Sequence, residues 1–275
     1  MRRLTRGVIR RLLPPRLREA FAAYRGLPAD VPVLTEVPPG ERVLVLAPHM
    51  DDEVIGCGGT LVKHAERGCA LAVAILTDGA LGDPAAEAAP MPEEARRESR
   101  RALCEIRREE SRAAAKVLGV EELVFLDCPD GGLTGSPTAR VAVERLVGEY
   151  RPDVLYAPFV TDAHPDHRAA ARLVAGLASR RPELLVAAYE VWTPLHPTCL
   201  VDITAQAERK TEALACFQSQ LSHNDFRHTA LGLNAYRSMF HLSGRGFAEA
   251  FFAAPARVHA ALAEMLDRGR ESARP

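Results

Sequence analysis

The stretch Val43-Leu44-Val45-Leu46-Ala47-Pro48-His49-Met50-Asp51-Asp52-Glu53 joins a run of apolar residues to a cluster of polar ones. A short apolar run followed by a turn and a glycine-rich helical segment is typical of a strand buried on both faces of a parallel sheet. The helical segment here continues to Gly68. The stretch therefore predicts one β-α unit, with its polar residues in the turn after the strand.

Similar units follow along the chain. Apolar runs at 70–76, 123–126 and 154–157 alternate with helical segments and predict three more strands. The helix between the second and third strands begins near Pro92 or Glu93 and ends near Gly119. An alanine-rich helix after His167, β-like runs at 185–192 and 200–203, and a last pair of helices complete the pattern. Because crossovers between parallel strands are right-handed, the predicted fold is α/β: a Rossmann-like, doubly wound, mostly parallel sheet with flanking helices.

The first 27 residues differ in composition from the rest. They contain eight arginines and a single acidic residue, Glu19. We therefore predict a basic N-terminal arm at 1–27 and one α/β domain at 28–275. The arm has two interpretations: it packs on the domain or frays, or it forms an amphipathic helix that makes weak contact with a membrane surface.

The bulk composition indicates an ordinary soluble protein. The net charge is -1, with 47% hydrophobic and 26% charged residues, so no nucleic-acid partner is predicted. No apolar run approaches the length of a membrane span, and the N-terminus lacks the apolar stretch of a secretory signal. These features predict a cytoplasmic location.

Two polar clusters follow the first and fourth predicted strands, where open α/β sheets bind their ligands. The first cluster contains His49, Asp51 and Asp52, and the second contains His164, Asp166 and His167. Catalytic zinc takes three protein ligands and leaves one position for water. We predict that Zn²⁺ is held by His49, Asp52 and His167.

The remaining residues of the two clusters suit amide hydrolysis, which needs a base for water, an oxyanion stabiliser and an acid for the leaving amine. Asp51 is the candidate base. His164 is the candidate acid and oxyanion stabiliser, and Asp166 is predicted to orient its ring and keep it protonated.

Other interpretations of these residues stay open at this point. Asp51 or Asp52 alone would also serve as a helix cap. Paired acids after the first strand, with Asp127 at the end of the third, would suit a receiver-like phospho-acceptor domain that binds magnesium. In that case His49, His164 and His167 would have no role. A metal-containing sugar-binding protein without turnover is a third hypothesis. The glycines at 56–59 lack the spacing of a dinucleotide-binding loop.

The two clusters resemble the signatures of one known family, the LmbE-like or PIG-L deacetylases. The matching motifs are His49-Met-Asp-Asp-Glu53 with Val54-Ile-Gly-Cys-Gly-Gly-Thr60, and His164-Pro-Asp-His167. The resemblance extends over roughly 42–222 through Leu76-Thr-Asp-Gly79, Arg107-Arg-Glu-Glu110, Pro129-Asp-Gly-Gly-Leu133 and Val201-Asp-Ile-Thr204. Met50 stands where the family motif has proline.

This resemblance implies a Rossmann-like fold and hydrolysis of N-acetylglucosaminyl amides. It implies zinc ligation by His49, Asp52 and His167, with Asp51 as base and His164 as acid. It also implies that Arg107 reaches the substrate. The predicted substrate is an N-acetylated amino sugar or glycoconjugate; thiol-cofactor precursors, glycolipids, antibiotic sugars and chitin oligomers all contain the required amide. Trp192 would either stack on a sugar ring or pack in the core.

Overall fold

The structure is a computed structural model that describes residues 31–272, so the predicted arm at 1–27 lies outside the described residues. Within that range, no helix has both the length and the apolar character needed to cross a membrane.

An eight-stranded sheet forms the centre of the described part of the chain, in the order β1-β7-β8-β6-β5-β2-β3-β4. All neighbouring strands are parallel except β8, which is antiparallel to both β6 and β7. The strands are β1 (Val33–Thr35), β2 (Arg42–Ala47), β3 (Ala70–Thr77), β4 (Glu122–Cys128), β5 (Val154–Pro158), β6 (Leu185–Tyr189), β7 (Cys199–Asp202) and β8 (Ala248–Pro255).

Helices cover both faces of this sheet. In the described range they are α1 (Asp52–Glu66), α2 (Pro84–Ala88), α3 (Glu93–Leu118), α4 (Pro137–Tyr150), α5 (Pro165–Gly176), α6 (Ala207–Ala215), α7 (Gln218–Leu221), α8 (Phe226–Arg237) and α9 (Ala256–Ser272). The predicted fold, a mostly parallel α/β sheet with flanking helices, is confirmed.

The apolar run that opened the sequence analysis is a central strand because both of its faces are covered. Val43, Val45 and Ala47 belong to a core shared with α1, α3, α6 and α8. Leu44 and Leu46 point the other way, into a core shared with α4, α5 and α9. Successive side chains of a strand alternate between faces, so a strand covered on both sides needs an unbroken apolar run.

Two strands, β8 and β1, were not predicted from the sequence. The segment Ala248–Pro255, which lies in the region predicted as a last pair of helices, is the antiparallel strand β8 between α8 and α9. Its alanines favour helix by propensity, but pairing with strands on both sides overrides that weak preference.

Strand β8 contributes a buried charge that holds α1 together. Helix α1 is interrupted at Cys57, whose φ of -144° is not helical. The Glu249 carboxylate accepts hydrogen bonds from the main-chain N–H groups of Gly59 and Thr60, at 2.9 and 2.7 Å. The Lys210 ammonium lies 2.7 Å from Glu249 and donates to the carbonyl of Ile55 at 2.8 Å. The ion pair therefore satisfies main-chain groups on both sides of the break.

We expect Lys210→Met to lower the free energy of unfolding by about 3–5 kcal/mol, because it leaves the Glu249 carboxylate buried without its counter-charge. Both side chains are 0% exposed, so water cannot replace the lost partner. Urea unfolding followed by circular dichroism measures the change. The exposed Lys116 offers a matched control, since Lys116→Met should shift stability by less than about 0.5 kcal/mol. Equal losses in the two variants would contradict the argument.

Candidate metal centre

The two predicted clusters meet at the carboxyl edge of the sheet. Strand β2 ends at Ala47, and the turn after it leads into α1, which begins at Asp52. Strand β5 lies beside β2 and ends at Pro158, and α5 begins at Pro165, directly after the helix cap His164. Parallel neighbours place both turns on the same edge, so residues more than a hundred positions apart in sequence become neighbours.

Three potential ligand atoms form a compact triangle there. His167 Nε2 lies 3.1 Å from Asp52 Oδ2 and 3.3 Å from His49 Nδ1, and His49 Nδ1 lies 3.2 Å from Asp52 Oδ2. Ligands of a tetrahedral ion with bonds of about 2.0–2.1 Å are themselves separated by about 3.3 Å. The donor set, two imidazoles and one carboxylate, is also the kind that zinc and similar ions take. The residues present therefore fit a divalent metal ion.

Carboxylates surround the ring nitrogens that point away from this triangle. His49 Nε2 lies 3.2 Å from Asp130 and 3.4 Å from Asp166, and His167 Nδ1 lies 3.0 Å from Asp162. Carboxylates in this position fix the orientation of metal-binding imidazoles and strengthen them as donors.

The same carboxylates favour positive charge at the triangle. Burial by itself would lower the pKa of His167, but Asp52 and Asp162 raise this pKa to about 9. Burial opposes ionisation of Asp52 as well, yet His167 and His49 hold the pKa of Asp52 well below its usual range. An environment that stabilises two charged imidazoles beside a carboxylate also stabilises a bound cation.

Two wider groups of candidate ligand atoms share His49: one adds His164 and His167, the other adds Asp130 and Asp166. In each group the atoms lie within 4.8 Å of one another. The triangle with Asp52 is tighter and matches the spacing of a tetrahedral ion better. We therefore favour it as the metal-binding set.

Asp51 lies beside the triangle in a conformation unusual for a residue with a side chain. Its φ of 129° lies in a region that favours glycine, which costs about 1–3 kcal/mol and is common at functional sites. It occupies the cap position of α1, but its side chain makes no capping hydrogen bond, which argues against the structural interpretation of this aspartate. Burial raises the pKa of Asp51 to about 7, although the Arg107 guanidinium opposes the shift. A carboxylate with such a pKa is suited to proton transfer at neutral pH.

His164 faces the triangle, but its predicted partner lies elsewhere. Its ring centroid is 4.7 Å from that of His49 and 4.8 Å from that of His167. The Asp166 carboxylate instead accepts hydrogen bonds from the N–H groups of Gly131 and Leu133. The structure thus corrects the prediction that this carboxylate orients the His164 ring.

The main chain of Asp166 makes the contact with His164, because its N–H donates to His164 Nδ1 at 3.3 Å. Burial, and then the neighbouring His49 and His167, lower the pKa of His164. Its ring is therefore neutral near pH 7. With Nδ1 acting as acceptor, its proton lies on Nε2.

Arg107, for which the family resemblance implies contact with the substrate, lies inside the protein beside Asp51. Its side chain is 3% exposed. The guanidinium donates to the carbonyls of Met50 and Gly79, at 2.9 and 3.1 Å, and lies 3.7 Å from Asp51. These contacts support the turn that contains Asp51, whereas the buried Nε of Arg107 has no hydrogen-bond partner among the described residues.

Asp130 and Asp162 were not predicted to have roles. Both lie in polar stretches that follow strands, as the predicted ligands do, and Asp130 also belongs to one of the motifs that resemble the family. Asp127, in contrast, is half exposed and pairs with Arg108 instead of joining Asp51 and Asp52. This placement leaves the receiver-like hypothesis without its third acidic residue.

Comparisons with known proteins identify relatives of this chain. The PIG-L family, described as GlcNAc-PI de-N-acetylase, matches residues 44–178. The diacetylchitobiose deacetylase of Thermococcus kodakarensis is 29% identical over 197 residues, which cover 66% of this chain and 70% of that enzyme.

Solved structures share the fold. A conserved protein of Thermus thermophilus aligns with a TM-score of 0.61 and 30% identity, covering 76% of this chain and 93% of the other. The N,N'-diacetylchitobiose deacetylase of Pyrococcus horikoshii aligns with a TM-score of 0.65 and 25% identity, covering 86% and 92%. The matched segment contains all seven predicted site residues, from His49 to His167, and the structural alignments extend well beyond it. This chain therefore belongs to the PIG-L family.

Proposed function

We propose that this protein is a zinc-dependent N-deacetylase that removes the acetyl group from an N-acetylated amino sugar or its conjugate. The observation that supports the proposal best is the triangle of His49, Asp52 and His167, whose ligand atoms are 3.1–3.3 Å apart. Beside it lies the buried Asp51, whose side chain makes no capping hydrogen bond. The names of the relatives support the substrate class, because two of them act on diacetylchitobiose.

Each residue has a role that follows from its position. His49, Asp52 and His167 would hold the ion, and Asp130, Asp166 and Asp162 would orient the two imidazoles. A zinc ion bound there would supply Lewis acidity, which polarises an amide carbonyl and lowers the pKa of water to about 7. Asp51 would accept the proton that water loses on attacking the amide, and its pKa of about 7 allows it to return that proton to the leaving nitrogen.

His164 would act as a neutral donor. The N–H of Asp166 occupies its Nδ1, so its Nε2–H is free to point at the oxygen that becomes negative when the amide carbonyl is attacked. A hydrogen bond that strengthens as charge develops stabilises the transition state more than the substrate. The role as oxyanion stabiliser therefore suits His164 better than the role as a permanently protonated acid.

The direct test is product analysis with zinc-loaded protein and N,N'-diacetylchitobiose. We expect one acetate and one primary amine to appear for each amide that is cleaved, measured by an acetate assay and by fluorescamine labelling. Chitobiose without acetyl groups is the control and should yield no acetate. If zinc-loaded protein releases no amine from this disaccharide or from simple N-acetylglucosaminides, the proposed activity is wrong.

Three further parts of the proposal rest on the sequence. They are a single domain over 28–275, a cytoplasmic location, and weak contact of the arm at 1–27 with a membrane surface.

A further inference from the structure

A cavity of about 280 Å³ opens at the carboxyl edge of the sheet, between α1, α8 and the loop after β6. Its walls are mostly apolar side chains. The lining includes Ile55, Val191, Trp192, Phe226, Ala230 and Leu233. None of these residues belongs to the proposed catalytic set.

Two of the cavity walls lie next to the metal centre. Ile55 lies three residues after the ligand Asp52 on α1, and residues three apart on a helix have side chains about 5–6 Å from each other. On the opposite wall, the N–H of Trp192 donates to Asp162 at 3.0 Å, and Asp162 in turn contacts His167. The cavity is therefore adjacent to the position that the amide of a substrate would occupy at the triangle.

Four of the five polar side chains in the cavity lining are engaged in hydrogen bonds within the protein, and the fifth, Asn224, is exposed to solvent. The Glu190 carboxylate accepts from the Arg237 guanidinium and from the N–H of Leu195. The side-chain oxygen of Asn234 accepts from Lys210, and that of Asp225 caps α8. A sugar hydroxyl entering the cavity would lose water without gaining these acceptors, whereas an apolar group would lose nothing.

Trp192 adds an exposed aromatic surface at the entrance. Its side chain is 53% exposed, and its ring centroid lies 6.2 Å from that of Phe226 in an edge-to-face arrangement. The core-packing interpretation of Trp192 is therefore wrong. A large exposed aromatic next to an apolar cavity is a surface that an apolar ligand would cover.

We propose that this cavity binds an apolar part of the substrate, either an alkyl or aryl aglycone or an acyl chain longer than acetyl. The proposal rests on the proposed function and narrows its substrate class. A cavity of about 150 Å³ holds a benzene molecule. The larger cavity here has room for a ring with a substituent or for a medium-length chain.

Binding is measurable without turnover because Trp192 is the only tryptophan in the chain. The probes are the octyl and methyl glycosides of glucosamine, which lack the amide and are used below the micelle-forming concentration of the octyl compound. We expect the octyl glycoside to shift the tryptophan emission to shorter wavelength in a saturable way, and the methyl glycoside to leave it unchanged.

A matched pair of variants locates the binding site. Thr229 is exposed and lines the cavity, so Thr229→Phe should block it and weaken binding of the octyl glycoside about tenfold or more. His228 is the exposed neighbour outside the lining, so His228→Phe should change binding less than twofold. The absence of an octyl-dependent shift, or equal effects of the two variants, would overturn the proposal.

Turnover then identifies which part of the substrate enters the cavity. One arm compares octyl with methyl N-acetylglucosaminide, and the other compares N-octanoyl- with N-acetylglucosamine. We expect kcat/KM to rise at least tenfold for the longer compound in one arm, and Thr229→Phe to remove that gain. A wild-type protein with no preference in either arm contradicts the proposal. If the fluorescence response is present but no compound is hydrolysed, the proposed function fails and the cavity assignment stands.

Discussion

Asp51→Asn is expected to lower kcat by about 10²–10⁴-fold, the usual contribution of a positioned general base. Asparagine has nearly the same shape but cannot accept a proton from water. The fold should persist, because burial disfavours the charge that the substitution removes and an asparagine side chain fits the same main-chain conformation. Steady-state deacetylation at saturating substrate measures the change in kcat, and thermal unfolding checks the fold.

Asp127→Asn is the matched control for this prediction. Asp127 is also an aspartate with a positive φ, but its side chain is half exposed and pairs with Arg108. We expect its kcat to stay within about twofold of wild type, because it lies outside the site. Undiminished activity of Asp51→Asn would show that another group takes the proton, and the assignment of the base would be wrong.

His167→Ala is expected to abolish tight metal binding and to reduce deacetylation by about 10³-fold or more, since a catalytic metal contributes several kcal/mol to transition-state stabilisation. The substitution leaves only two of the three proposed ligands. It also leaves Asp52 and Asp162 facing an empty space instead of an imidazole. Elemental analysis after dialysis should find about one zinc per wild-type chain and far less in the variant.

His228→Ala is the histidine control, because His228 is exposed and lies outside the metal centre. It should retain wild-type metal content and activity. Treatment of wild-type protein with a chelator should reproduce the loss of activity seen in His167→Ala. Added zinc should then restore the activity of the wild-type protein but not that of the variant. Full metal content in His167→Ala would exclude the proposed ligand set.

The central part of the fold was predictable because its strands are covered on both faces. The run from Val43 to Ala47 must be apolar throughout, so it stands out in the sequence. Strand β8 lacks such a signal. It contains the buried Glu249 and several alanines, and only its pairing with β6 and β7, which are remote in sequence, makes it a strand.

The grouping of the site residues was also predictable, because parallel neighbouring strands bring their turns together. The partners of individual side chains were not. Asp166 was expected beside the His164 ring on the basis of their spacing, but main-chain N–H groups of the turn after β4 draw its carboxylate toward Gly131 and Leu133. Arg107 was expected to contact the substrate, and its contacts with the carbonyls of Met50 and Gly79 could not be foreseen from the sequence. Both outcomes depend on loop conformations that no local pattern encodes.

The interrupted helix α1 has a consequence for how the chain matures during synthesis. The side chains of Lys210 and Glu249 bind main-chain groups of this helix. In the sequence, both residues lie far downstream of the proposed ligand Asp52, where the helix begins. A nascent chain that has emerged only through His167 already has every proposed metal ligand, but it lacks the charges that join the two halves of this helix. The ion pair can therefore join the two halves of this helix only after the ribosome has translated residue 249.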